Sequence, residues 1–299
     1  MTAPVISSDP TLLCQAGDIL GEGPLWDHRH KRLLWIDIDR GCVHRWSESQ
    51  GHAPVVMIDG LIGSIALAGA DDLLIASTQG ILRWQGRTGR LVRLADPPPE
   101  RSLRYNDGRV DSRGRFWVGT MAIEPARHRE AVGELWRLDP DGQMHRVLDG
   151  LTIANGLDWS PDGRTFYLTD TMRRQIRAYS FVPSDECLSE VQAVWSTDPV
   201  HGYPDGLTVD AAGYVWSAGI TGGVLCRYDV SGQLQHTVKL PVSCPTAITF
   251  GGDGLSQGFC TTSRHLLSDG HREADAGGLF TFSTSVRGRL AGVFGGVLA

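Results

Sequence analysis

Glu22, Asn155 and Asp205 are two carboxylates and a carboxamide, and each stands directly before a glycine. Together they offer only oxygen donors. Such a set suits a hard divalent ion such as Ca2+, Mg2+ or Mn2+, and Zn2+ accepts it with fewer ligands. Two negative charges balance one such ion and leave positions for water and substrate. Asp205 is a candidate both for ligand and for general base, and the residue types leave that choice open. Asn-Gly and Asp-Gly are also turn signals. At 140–142 and 161–163 Pro-Asp-Gly needs no more than a turn reading. At 204–206 it runs straight into Leu207-Thr208-Val209, which places Asp205 at the end of a strand.

Rival chemistries find little support. The ten histidines show neither H-x-x-x-H nor H-E-x-x-H spacing, and there is no G-x-S-x-G elbow and no Walker A sequence. Gly251-Gly252-Asp253-Gly254 has no helical pattern after it, so it is no phosphate cradle. With a net charge of −6 and no Lys/Arg run longer than a pair, the chain lacks a stripe for nucleic acid.

The elements that must position these residues come from a repeat. Six short β-rich runs centre on Trp35, Ile75, Trp117, Tyr167, Trp216 and Cys260, 40 to 50 residues apart. A second run with period-2 alternation follows each of them, at 41–46, 80–84, 133–138, 175–179, 223–228 and 278–282. Asp or Ser turns precede them, as in Asp111-Ser112-Arg113-Gly114 and Asp210-Ala211-Ala212-Gly213. With 37 Gly, 15 Pro and 41% hydrophobic residues, the composition fits many short strands around a large core. The predicted fold is all-β: a six-bladed β-propeller of four-stranded antiparallel blades around a central channel. It forms one domain over 1–299, with 1–10 as a flexible extension. A propeller must close the edge between its first and last blades, and the segment 11–20 is predicted to supply the outer strand of the last blade.

The strand before each turn is the innermost one. Counting back five residues from the turn gives one position per blade: Glu22, Ser64, Asn106, Asn155, Asp205 and Thr246. All are polar, and strands otherwise avoid Asp and Asn. Gly follows four of them within two residues, which predicts a sharp backbone turn into the channel. One register in six blades points to a converging site at one end of the channel.

Stretches of this sequence resemble the regucalcin (senescence marker protein) and gluconolactonase family of six-bladed propeller sugar lactonases. They are Gly21-Glu22-Gly23-Pro24-Leu25-Trp26, the run 104–111 that opens Arg104-Tyr105-Asn106-Asp107-Gly108, Gly119-Thr120-Met121, the run 153–163 that contains Asn155-Gly156, and Tyr203-Pro204-Asp205-Gly206-Leu207. The resemblance implies that Glu22, Asn155 and Asp205 ligate one divalent metal ion (Ca, Zn, Mn or Mg). It implies that Arg104, Asn106 and Glu124 contact a polyhydroxylated substrate, and that the activity opens a sugar lactone to its aldonic acid. Two alternatives are an esterase of the phosphotriesterase or arylesterase type, favoured by a second buried Ca2+ site, and a non-enzymatic calcium-binding propeller. Residues 1–10 lack a secretory pattern, no stretch reaches the roughly 18 apolar residues of a membrane span, and the six Cys have no C-x-x-C spacing. The expected location is the cytoplasm, with reduced thiols and no membrane partner.

Overall fold

A computed structural model describes residues 5–182, 188, 191–265 and 273–295. Six blades of four antiparallel strands follow one another along the chain, each built outward from the channel, and the sheet of the second gains a fifth strand near the C-terminus. Their inner strands are Gly21–Asp27, Ile62–Ala68, Leu103–Val110, Ala154–Trp159, Gly202–Val209 and Pro245–Gly251, which begin blades 1 to 6 in turn. Thr11–Cys14 pairs with Leu279–Ser283 as the outer strand of blade 6, so the ring closes as the sequence predicts. Residues 1–4 of the expected extension lie outside the described residues, and Ile6 bridges to Thr284 beside that seam.

The strands form where they do because their apolar faces pack between blades. Every residue of Ile62–Ala68, Ala154–Trp159 and Pro245–Gly251 is buried. The turn that follows an inner strand is fixed by its aspartate. Asp111 accepts the backbone N–H groups of Arg113 and Arg115, and also Trp117 Nε1 at 2.9 Å. Asp210 repeats the device with Ala212, Tyr214 and Trp216 Nε1. The turn residue thus also anchors the tryptophan of the next strand.

These turns lie at one end of the channel, which we term the floor. The connections between second and third strands lie at the other end, the mouth. The segment 287–295, which carries no alternating pattern, crosses the floor. Val293–Phe294 pairs in parallel with Leu67 and Ala68, and Gly292 packs against Val110. Arg289 reaches Asp158 Oδ1 and the Trp159 carbonyl, both at 2.7 Å.

Candidate functional site

Each inner strand loses register with its neighbour at the predicted position. The breaks fall between Glu22 and Leu25, Ile62 and Ser64, Tyr105 and Gly108, Ala154 and Leu157, Pro204 and Leu207, and Pro245 and Ala247. A bulge sets two residues against one and re-aims the side chain it carries. The polar residues therefore project at the mouth instead of following the pleat. The glycines have a different reason from the expected one. Gly23 alone of the four takes a left-handed backbone (φ 53°). At Gly108, Gly156 and Gly206 the constraint is space: a Cβ on Gly156 would strike Leu207 N, and one on Gly206 would strike Ala247. At Gly156 and Gly206 the neighbouring inner strand approaches too closely for a side chain, and at Gly108 the Phe116 ring and the Ser64 hydroxyl fill the space.

The structure brings Glu22, Asn155 and Asp205 together, all at least 90% buried. Asn155 Nδ2 donates to Asp205 Oδ1 and, at 3.2 Å, to Thr171 Oγ1. Asn155 Oδ1, the atom a cation would take, meets no donor among the described residues. Glu22 Oε2 accepts the Gly23 N–H at 2.9 Å, and the Glu22 and Asp205 side chains hydrogen-bond each other. Burial pushes the Glu22 carboxyl well above the carboxylate range, and the charges of Asp205 and Asp107 push it further. Asp205 is raised by burial and by Asp107, with Asn155 and Arg104 only partly opposing. Two carboxylates are thus held in contact without a cation of their own.

Arg104 is the adjacent positive group. Burial pulls it down to about 10, still protonated at neutral pH, while Asp39, Glu22 and Asp205 hold its charge. Its Nη1 donates to Asn106 Oδ1 (2.8 Å) and the Tyr105 carbonyl (3.0 Å), so its bonds go to neutral acceptors and not to a carboxylate. Asn106 Nδ2 in turn donates to the Ala154 carbonyl of blade 4 at 3.0 Å. The Asn106 amide therefore orients Arg104 and ties two blades together. Glu124 is not gathered into this cluster: it lies exposed at the start of the mouth segment 123–132. Ser64 lines the channel below the mouth, and the Thr246 hydroxyl is committed to Thr261 and the Gly21 carbonyl.

Sequence reasoning missed four members of the mouth. Thr171 opens a 3-10 helix and Asp39 sits on a turn, both outside the inner-strand register, and His128 sits on the 123–132 segment. Asp107 was visible inside the Asn106-Asp107-Gly108 motif, and burial raises it to about 6. Deeper still, Arg109 meets Asp158 at 2.8 Å and Arg289 meets it at 2.7 Å, so the lower channel supplies its own cations.

Among the described residues no three His, Cys, Asp or Glu side chains converge as a metal cluster. The third donor here is the Asn155 amide. Two buried, hydrogen-bonded carboxyl groups whose ionisation is suppressed, beside an open amide oxygen, fit a hard divalent cation in charge and in donor type.

The family described as the SMP-30/Gluconolactonase/LRE-like region matches residues 20–264. A pentonolactonase of Haloferax volcanii is 32% identical over 284 residues, covering 90% of this chain and 92% of that protein. Human regucalcin is 33% identical over 267 residues, 87% and 89% of the two chains. Among solved structures, a luciferin-regenerating enzyme superposes with a TM-score of 0.88 at 26% identity, covering 95% of this chain and 98% of that one. A calcium-binding regucalcin from Agrobacterium tumefaciens superposes at 0.89 with 24% identity over 96% and 97%, a likeness of fold.

Proposed function

The chain belongs to the SMP-30/gluconolactonase/LRE-like family, and from that premise we propose that it is a metal-dependent carboxylic-ester hydrolase that opens a sugar lactone to its aldonic acid. The substrate class is an aldonolactone such as glucono-, arabinono-, xylono- or galactonolactone. The observation that carries this reading is the buried, uncompensated Glu22–Asp205 pair placed beside the donor-rich Arg104. Relatives named for lactone hydrolysis support it.

Glu22, Asp205 and Asn155 Oδ1 would hold one divalent ion. When bound, such an ion polarises the ester carbonyl and lowers the pKa of a nearby water. The remaining work falls to the chain's own residues. Asp205, its carboxylate kept ionised by the bound ion, would accept the proton of the attacking water. The water oxygen bonds to the carbonyl carbon, the ring C–O bond breaks, and the ring oxygen leaves as a hydroxyl after taking up the proton that Asp205 received. Arg104, fixed by Asn106, keeps further N–H donors for the ring hydroxyls and carbonyl. A cysteine nucleophile is disfavoured: Cys244, the thiol whose titration feels Asp205, is pushed up by burial.

The arylesterase alternative is favoured by a second buried Ca2+, and the Arg109–Asp158–Arg289 bridge already supplies the positive charge below the mouth. The five cysteines among the described residues are free, which fits a reducing compartment, and a cytoplasmic location is part of this proposal. No helix among the described residues is long and apolar enough to cross a membrane.

The test is a panel of pentono- and hexonolactones offered to metal-stripped protein, with Ca2+, Zn2+, Mn2+ and Mg2+ restored one at a time. The reading expects no turnover after stripping and recovery with at least one ion. Full activity in chelator, or no lactone opened under any ion, would sink it.

A further inference from the structure

We infer that Arg129, Arg174 and Tyr203 form an anion subsite at the mouth, which selects lactones that carry a carboxylate or phosphate at the end remote from the ring carbonyl. The inference rests on the proposed sugar-lactonase reading and deepens it by fixing the charge of the preferred substrate.

Hydrogen bonds tie this subsite to the proposed reaction centre. Asn155 Nδ2 donates to Thr171 Oγ1 at 3.2 Å, and Thr171 opens the 3-10 helix Thr171–Arg173. Arg174 follows that helix directly. Its Nη1 donates to the Gly202 carbonyl at 2.7 Å, and its guanidinium lies over the Tyr203 ring at 3.6 Å. Tyr203 stands on the inner strand Gly202–Val209, two residues and about 7 Å of strand before Asp205. From blade 3, Arg129 of the segment 123–132 reaches the Tyr203 hydroxyl at 3.4 Å. One phenol beside Asp205 thus meets guanidinium groups from two other elements of the mouth.

Neither guanidinium has a carboxylate partner among the described residues. Arginines close to them in sequence do: Arg127 pairs with Glu130 at 2.8 Å, and Arg173 pairs with Asp170 at 2.9 Å. Glu22 and Asp205 bond each other and serve the proposed ion, so they do not fill that role. The phenol answers to both cations, titrating below its ordinary value because Arg129 and Arg174 hydrogen-bond it. Arg174 also takes a left-handed backbone (φ 54°), a conformation that favours glycine. A long cationic side chain held there against that preference, with no ion pair, points to a ligand. Two like charges gathered at one opening of a chain with net charge −6 mark a place that attracts an anion.

The proposed substrates differ at the matching place. A six-carbon lactone with its carbonyl at Asp205 extends its far carbon toward Tyr203. In a simple aldonolactone that carbon carries a neutral hydroxyl. In the monolactone of an aldaric acid it is a carboxylate, and in a phosphorylated aldonolactone it carries a phosphate. Guanidinium N–H groups meet either oxyanion in paired, charge-assisted hydrogen bonds. Arg129, and the N–H groups of Arg174 that Gly202 does not take, supply these donors.

The test compares kcat/KM on glucaric acid monolactone, the phosphate monoester of gluconolactone, and gluconolactone itself. The unaltered protein should open at least one of the two anionic lactones about tenfold or more efficiently than the neutral one, and rising salt should erode that preference. Arg129 is exposed, so its variants should fold. Arg129→Ala should cut the preference by about threefold to tenfold, between an exposed ion pair and a charged hydrogen bond, and Arg129→Glu should cut it further. Arg174→Gln, which keeps a donor for the Gly202 carbonyl, should also cut it. The anion preferred identifies carboxylate or phosphate as the group that the subsite takes. No preference for either anion, or equal losses on anionic and neutral lactones in the Arg129 variants, would overturn the inference. Calorimetry separates it from the parent reading. If the protein opens no lactone, the hydrolase reading fails, while the protein must still bind glucarate more tightly than gluconate, and Arg129→Ala must narrow that gap. Glucarate and gluconate bound alike, or neither bound, refutes the subsite.

Discussion

Asp205 lies within the inner strand Gly202–Val209 of blade 5 and Asp210 on the turn just beyond it, five residues on, and both are buried. Asp210, at the floor, accepts Arg227 Nη2 at 2.8 Å, Arg227 Nε and Trp216 Nε1 at 3.0 Å each, and two backbone N–H groups. Asp205, at the mouth, is raised by burial and by Asp107, and the Asn155 amide, the adjacent Arg104 and a bond to Glu22 oppose this only in part. Asp158 repeats the contrast from blade 4. Burial alone would raise it, yet Arg109, Arg289 and two backbone donors hold it below the ordinary carboxylate range. One end of the channel balances every buried charge it carries, and the other leaves a charge unmet. Unbalanced electrostatics confined to one end of an otherwise consistent fold mark the part shaped for a ligand.

The widest separation between the two ends should appear on removing each carboxylate. Asp205→Asn should lower kcat by a factor of about 10² to 10⁴ and weaken divalent-ion binding, since it removes both a ligand and the proposed base. In chelator it should also raise Tm, because a buried carboxyl whose ionisation is suppressed by burial and by Asp107 is removed. Asp210→Ala should do the reverse. It leaves the buried Arg227 unpaired, at a cost of about 3–5 kcal/mol in stability, while ion affinity of the folded fraction stays unchanged. Thermal melts in chelator and ion titrations by calorimetry read both effects. If Asp205→Asn destabilises the chelated protein as Asp210→Ala does, the two ends are not different in kind.

Arg104 sharpens the comparison from within the mouth, because its bonds run to Asn106 and Tyr105 and not to a carboxylate. Arg104→Ala should cut kcat/KM on sugar lactones by about tenfold to a thousandfold, about 1.4–4 kcal/mol of transition-state stabilisation, with metal affinity barely altered. A lactone lacking hydroxyls should be affected much less. Parallel losses on both substrates with a falling Tm would make Arg104 a structural residue of the rim.

The blades were legible because their signals are local. Period-2 runs, a turn every few residues and a recurring tryptophan survive without knowledge of what they pack against. Glu22, Asn155 and Asp205 were legible for the opposite reason: they are wrong for a strand, and wrong at one register. The bulges at that register were not, since a bulge is a relation between two strands. Thr171, Asp39 and His128 belong to connections whose path depends on neighbouring blades, and Asp39 is tied by His265 of blade 6 at 3.0 Å. Arg289 was invisible because 287–295 pairs in parallel through two residues only, too few for a pattern. Gly108, Gly156 and Gly206 were read correctly as constraints and wrongly as turns, because a sequence shows that a side chain is missing but not what occupies its space.

The smallest expected effect, the pH dependence of stability, sets the two ends against each other within one protein. Asp158 and Asp27 titrate below their ordinary value, so the stability they contribute is present above about pH 4 and is lost as pH falls through their depressed pKa values. Glu22 and Asp205 titrate above theirs. Their contribution is present below about pH 4 and is lost as pH rises toward about 8, where Asp205 ionises beside Glu22. In chelator, Tm should therefore fall from pH 5 to 8. His44, raised to about 9 by its bonds to Asp18 and Cys42 against the opposing effect of burial, adds a loss of the same sign as pH climbs through that value. The divalent ion separates the two causes. It binds the deprotonated pair and displaces its protons, so ion affinity should strengthen from pH 5 to 8 and a saturating ion should flatten the mouth's share of the slope. The share from His44, in blade 1 away from the mouth, should remain. Asp205→Asn in chelator should likewise lose most of the ion-sensitive slope. A chelated Tm that rises or stays level from pH 5 to 8, or a slope that saturating ion leaves untouched, would mean that the mouth carboxylates are not in conflict.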